Sequence, residues 1–255
     1  MKSCRNIWMG AWAALLLCSP LPGLAAVVWQ YEGAGVSSNA WVAAREGGTL
    51  TALHGASNGW SFAEVRHIGA RRAAGFEEGA SAFAFPPGAT NRVAALYAVV
   101  RSETPEAMAT LIEAPKNVCV RLEASPLRPL RWQPEQLGYR ADHRVNGIET
   151  GRFEASANFQ LVEAHFETWP VMRELYVGNA AASPLWQRHW RGEIGELLFF
   201  TRAPTEPEQQ AVYHYLRLKW GVPLAYDTRG TNVAATLDGL GIRRGALFGS
   251  LFLVR

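Results

Sequence analysis

The chain has only three aspartates, Asp142, Asp227 and Asp238, and none lies in a D-x-D-x-D run. Calcium loops that draw several carboxylates from one short segment are thereby excluded. The six histidines show neither H-x-x-x-H nor H-E-x-x-H spacing, so the sequence offers no zinc site. Cysteine is equally scarce: Cys4 and Cys18 fall in an N-terminal segment that reads as removable, and Cys119 alone cannot close an internal disulfide. An exported fold of this kind must be stabilised by its core and not by covalent staples. In Val118–Glu123, alternation puts Cys119 on the side of Arg121 and Glu123. It reads either as a small inert residue on a partly covered face or as a thiol that pairs between chains. No stretch beyond residue 26 is apolar for long enough to span a bilayer.

Residues 1–26 carry Lys2 and Arg5, an apolar core from Ile7 to Cys18, and small residues at Ala25 and Ala26. This is the pattern of a secretory signal peptide, with an h-region too short for a membrane span. Its removal lowers the formal charge from +3 to +1, so no concentrated basic footprint for nucleic acid is expected. The mature chain is expected outside the cytoplasm, in the periplasm, at the cell surface or secreted. It is long enough for one large β domain.

Beyond residue 26 the chain is a series of short apolar runs separated by Gly, Pro, Asn and Ser. Strands are expected at 27–30, 41–44, 49–53, 82–85, 92–101, 107–113, 117–123, 138–145, 158–167, 173–178 and 193–200. Val93 to Val100 is apolar on both faces and should be central. Leu161–Phe166 alternates, with Val162, Ala164 and Phe166 facing one way and Glu163 and His165 the other. One helix is expected near 205–219. Thr205-Glu206-Pro207-Glu208 spells a capping box, Val212, Tyr215, Leu216 and Trp220 form an apolar stripe, and Lys219 and Gly221 close the last turn. The expected fold is all-β: a two-sheet antiparallel jelly-roll sandwich over 27–221 with one short helix. Inner faces should be packed and outer faces partly wet. Residues 222–255 form an extension whose apolar end, Ala246–Val254, reads as an added hairpin or as a strand docking on a partner.

The segment Gly192-Glu-Ile-Gly-Glu-Leu-Leu-Phe-Phe200, a short turn, and a helix ending Leu218-Lys-Trp-Gly221 resembles the closing segment of bacterial laminin-G-like domains of the concanavalin A-like lectin/glucanase superfamily. The strand at Arg92–Arg101, the Val145-Asn146-Gly147 hairpin and Leu175-Tyr176-Val177-Gly178 show the same pattern in the same order. The likeness covers about residues 90–221, is thin over 27–89 and stops after 222. It implies a recognition or structural role at a bacterial envelope or surface, binding carbohydrate or a protein partner in adhesion or assembly. Relatives of this kind often hold calcium at a loop rim, which the few aspartates here reduce to a weak site at most. No other cofactor is implied.

The superfamily also contains retaining glucanases, whose chemistry requires two carboxyl groups about 5–5.5 Å apart, one as nucleophile and one as acid/base. Here Glu193-Ile194-Gly195-Glu196-Leu197-Leu198 lacks the central aspartate, and in a regular strand Glu196 would face away from Glu193. A bulge at Gly195 would change that register. No catalytic residue is assigned: Glu193 reads as a solvated strand-start residue and Glu196 as a hydrogen-bonded sheet residue. The enzyme alternative is a divergent glycosidase using carboxylates from separate strands, such as Glu163 and Glu193. Gly55-Ala-Ser-Asn-Gly59 matches a nucleophile elbow, but without β-α alternation it reads as a polar turn. The loop Gly178–Arg191 is the best ligand-binding candidate, since Trp186, Arg188, His189 and Trp190 place two indoles, a guanidinium and an imidazole within five residues. For Trp190 the competing reading is packing at the sandwich edge. Trp132 and Trp169, each near a proline, read as edge-packing residues.

Overall fold

A computed structural model describes residues 28–37, 40–44, 48–52, 63–77, 82–85, 93–103, 109–114, 118–122, 130–132, 141–149, 153–166, 176–179 and 189–244. In chain order the strands are β1 (Val28–Glu32), β2 (Ala40–Val42), β3 (Thr49–Ala52), β4 (Glu64–Ile68), β5 (Arg71–Phe76), β6 (Phe83–Ala84), β7 (Ala95–Ser102), β8 (Thr110–Ala114), β9 (Val118–Leu122) and β10 (Leu130–Trp132). They continue with β11 (Ala141–Val145), β12 (Ile148–Glu149), β13 (Ser156–Phe166), β14 (Tyr176–Val177) and β15 (Gly192–Phe200), before helices α1 (Glu206–Trp220) and α2 (Val233–Gly239).

Among the described residues these strands make two antiparallel sheets. Sheet A has eight strands in the order β12-β11-β13-β7-β15-β5-β4, with β1 also pairing β15; sheet B has seven, in the order β10-β9-β8-β14-β6-β3-β2. The chain is therefore an all-β sandwich, in which the first described strand, β1, lies antiparallel beside the last described one, β15. Strand β7 is central, as its two apolar faces require, flanked by β13 and β15.

Two apolar layers result from the alternation of these strands. Between the sheets lie Leu96, Ala98, Val100, Val162, Ala164, Phe166, Ile194, Leu197 and Phe199, packed with Trp41, Phe76, Phe83 and Phe85. On the far side of sheet A, Tyr97, Val99, Leu161, Leu198 and Phe200 are covered by Val212, Tyr215, Leu216 and Trp220 of α1. All four residues of the expected helical stripe are buried. The outer face of sheet A is thus dry where a helix of 15 residues lies across it and partly exposed beyond, at Arg66 and Arg101. Glu163, on that outer side, has no exposed surface at all.

Helix α1 forms where the sequence places it. The capping box is made: the Glu208 carboxylate accepts from the Thr205 amide at 2.8 Å and from its hydroxyl at 3.0 Å. Arg202 also binds Glu208, and the helix ends at Gly221 in the left-handed region with φ 72°. The expected Asn146-Gly147 turn is present, with φ of 53° and 79°, values that suit Asn and Gly in a two-residue hairpin.

Several differences from expectation lie in weakly patterned segments. The β4–β5 hairpin is not among the expected strands, since Arg71-Arg-Ala-Ala-Gly-Phe76 carries no β-branched residue. Strands β10 and β12 are only three and two residues long. After residue 221 the described chain forms no strand. Val222, Leu224, Leu237, Leu240 and Ile242 join the outer apolar layer, and Asn232 caps α2 by accepting from the Ala235 amide. The segment Ala246–Val254, read as a hairpin or docking strand, lies outside the described residues, as do Trp169 and the Gly55–Gly59 turn. Cys119 lies in β9, in register with Glu113 of β8. Among the described residues no helix is long and apolar enough to cross a membrane.

Stability should respond to two of these features. A Cβ at Gly195 would come within 2.7 Å of the buried Trp220 indole, so Gly195→Ala should cost about 1–3 kcal/mol in urea unfolding through overpacking. The Arg202 guanidinium, assisted by the Thr205 amide and hydroxyl, outweighs partial burial and holds the Glu208 carboxyl below its usual range. A lowered carboxyl contributes stability that is complete above its unfolded value, near 4.5, and disappears as pH falls through the lower folded value. Thermal melts should therefore show an acid-side loss in the wild type that is smaller in Glu208→Gln.

Candidate functional site

Strand β15 carries a bulge. Ile194 pairs with Val100 and Glu196 with Val99, leaving Gly195 as the extra residue. Ile194 and Leu197 both face the inter-sheet core, so Glu193 and Glu196 share the outer face of sheet A and do not oppose one another. They lie opposite Arg101 and Val99, two residues apart on β7, a separation of about 7 Å along the strand. The bulge therefore places two carboxylates on one face, and their surroundings then differ completely.

Glu196 is closed in. It has no exposed surface, and its carboxylate accepts from Gln30 Nε2 at 2.6 Å, Tyr215 Oη at 2.8 Å and Trp220 Nε1 at 2.7 Å, with Lys219 Nζ at 2.8 Å. Trp220 reaches it because Gly195 leaves room for the indole. Lys219 also meets Glu32 at 3.0 Å. Burial pulls the Lys219 ammonium down, but Glu196 and Glu32 together outweigh it and raise the group above an ordinary lysine. Glu196 is a sheet residue held by hydrogen bonds, as the sequence implied.

Glu193 sits at the open end of the same row. It is 5% exposed and so is not the solvated residue expected of a strand start. Its two oxygens are bound by Arg66 Nη1 at 3.0 Å and Arg101 Nε at 2.9 Å. Arg101 is its immediate neighbour on β7, but Arg66 comes from β4 and must pass over β5. It does so across Gly75, where a Cβ would lie 2.2–2.6 Å from the Arg66 side chain. The hydrogen bond to Glu193 is the chief cause that raises the Arg101 guanidinium further. Around this clamp lies a cleft of about 430 Å³ lined by Arg66, Phe76, Glu77, Arg101, Glu103, Arg191, Gly192 and Glu193. Glu77 pairs with Arg66, and Glu103 approaches Arg101 at 3.6 Å; both of these carboxylates are largely exposed. Exposed pairs of this sort contribute about 0–1 kcal/mol each.

A further carboxylate of the outer face, Glu163, accepts from Tyr213 Oη at 2.8 Å and from the Gly147 amide at 3.1 Å, with His165 Nε2 3.2 Å away. Burial, reinforced by the Glu163 charge, raises the Tyr213 phenol well above its ordinary value. Glu163 is opposite Tyr97 and Glu193 opposite Arg101, four residues along β7 and two strands across. That spacing separates their Cα positions by roughly 17 Å, well beyond the 5–9.5 Å between carboxyl groups that glycoside hydrolysis uses.

Of the four loop residues singled out for ligand binding, Trp186 and Arg188 lie outside the described residues. His189 is 2% exposed and bridges to Thr110, and Trp190 is fully buried in the inter-sheet core, edge-on to Phe153 at 5.8 Å. The Trp190 indole packs and presents no face to a ligand. The aspartates occupy three separate elements. Asp142 is exposed on β11, while Asp227 and Asp238 are engaged by Arg229 and Arg244, so they do not supply the converging carboxylates calcium prefers. Among the described residues no group of three or more His, Cys, Asp or Glu is arranged to hold a metal ion. The Arg66–Glu193–Arg101 clamp was missed in the sequence because its members lie 127 and 92 residues apart. The one available signal was Gly75 in an otherwise filled strand.

Glu196→Ala would leave Lys219 buried with only Glu32 as a carboxylate partner, and should cost about 3–5 kcal/mol by chemical denaturation. In a double-mutant cycle, adding Lys219→Met should restore part of that loss. The chain matches no family model, no curated protein and no solved structure.

Proposed function

We propose that this chain is an exported, non-catalytic recognition module of the laminin-G-like kind within the concanavalin A-like superfamily, wound as a jelly roll. It works at a bacterial envelope or surface and binds carbohydrate or a protein partner in adhesion or assembly. The supporting observation is the contrast between Glu193 and Glu196. They share a face at a spacing compatible with a pair of catalytic carboxyls, yet each oxygen is already bound by a cation or a hydrogen-bond donor. A glycosidase needs one carboxyl free to give a proton and another free to attack or to activate water. Among the described residues a polar cleft beside Glu193 stays accessible, of a size suited to a small ligand. Strand β15, the short turn after it and helix α1 follow one another as in the closing segment on which the resemblance rests.

A glycan array with wild type and with Trp186→Ala tests the carbohydrate version; binding that weakens in the variant is the expected outcome. Hydrolysis of a β-glucan that disappears in Glu193→Gln would overturn the reading in favour of the divergent glycosidase. The partner-docking version is tested by removing 245–255 and not more, because Leu240 and Ile242 are buried and Arg243 is bound by Gln30. A folded, monodisperse product that has lost association with envelope proteins supports docking.

A further inference from the structure

Resting on that reading and narrowing it, we infer that the cleft beside Glu193 binds a carboxylated, hydroxyl-rich ligand, an acidic sugar of the uronate type, whose carboxylate displaces Glu77 and Glu103 from Arg66 and Arg101. The floor and the rim of the cleft differ in charge. Two guanidinium groups, Arg66 and Arg101, converge in it on a single buried carboxylate, Glu193, whose side chain is 7% exposed. The two other carboxylates, on Glu77 and Glu103, are 73% and 60% exposed at the rim. Without the rim the site is cationic, and the rim glutamates occupy it as an incoming carboxylate would.

The guanidiniums are held in place for such an exchange. Arg101 is fixed by Glu193 through Nε and by the Ala157 carbonyl through Nη1 at 3.2 Å, and Arg66 lies across Gly75 with Nη1 on Glu193. Guanidinium groups fixed in advance bind carboxylate in a planar, two-point manner with little ordering left to do. The exposed partners they would exchange are weakly held. The rest of the ligand is set by what the cleft lacks. Among the described residues its large apolar contributor, Phe76, is 1% exposed, so none of them offers an apolar anchor of the type that peptide partners exploit. Once released, the side-chain oxygens at 77 and 103 can accept from ligand hydroxyl groups, a role that Gln at either position keeps while removing the competing charge.

The test is calorimetric titration of the full chain with trigalacturonate, neutral galactotriose and tetraglutamate, repeated with Glu77→Gln/Glu103→Gln and with Arg66→Gln. The Glu77 and Glu103 positions are exposed, so that double variant should fold as the wild type does. Trigalacturonate should bind at least about tenfold more tightly than either other probe, and its affinity should fall as salt rises. The double variant should bind it about three- to tenfold more tightly, and Arg66→Gln about tenfold more weakly. The inference is overturned if galactotriose or tetraglutamate binds as well as trigalacturonate, if no probe binds, or if removing the rim glutamates leaves affinity unchanged or lowers it. Neutral glycan binding that survives Arg66→Gln would end this inference while leaving the recognition role standing.

Discussion

Glu196 is the residue on which the outer half of this molecule depends. A carboxylate with no exposed surface is tolerable only if its charge and both oxygens are answered. The answers come from two distant parts of the chain: Gln30 on β1, and Tyr215, Lys219 and Trp220 on α1. Gln30 in turn binds the backbone of Arg243 on both sides, accepting from its amide at 2.6 Å and donating to its carbonyl at 3.0 Å. One buried charge thus sets where the helix lies on sheet A, how the first strand sits against the last, and where the segment after α2 returns. Apolar packing supplies area here, but it is non-directional. The carboxylate supplies position.

The bulge that makes this arrangement also creates its opposite. By inserting Gly195, β15 turns both Glu193 and Glu196 toward the outer face. A missing side chain beside each then decides the outcome. At Gly195 the space is filled by an indole from the helix, which seals Glu196. At Gly75 it is filled by a guanidinium crossing from β4, which clamps Glu193 and leaves the cleft beyond it open. Two glutamates three residues apart, with similar local sequence, become a structural strut and the floor of a cleft.

Much of the fold was readable from single segments. The capping box at Thr205–Glu208, the stripe Val212, Tyr215, Leu216 and Trp220, and the Asn146-Gly147 turn are local features, and each formed as its chemistry requires. Alternation in Leu161–Phe166 sorted residues to the correct faces. Segments without a strong local code were not readable. The β4–β5 hairpin is held by its neighbours despite its alanines and glycine, and helix α2 forms where Leu237 and Leu240 find the outer apolar layer. The loop chosen for its indoles shows the limit from the other direction. Trp190 has the composition of a binding residue, but burial made it core.

By itself the sequence determined what depends on neighbours a few residues away: the strands with clear alternation, the capped helix, the tight turn, and the shortage of aspartate and cysteine. Only the tertiary structure decided which carboxylates were closed and which lay beside open space. That choice rests on contacts spanning 92 to 166 residues, Arg101 and Arg66 with Glu193 and Gln30 with Glu196. The energy of a buried charge is set by everything that surrounds it in space, and a sequence pattern registers only what adjoins it along the chain.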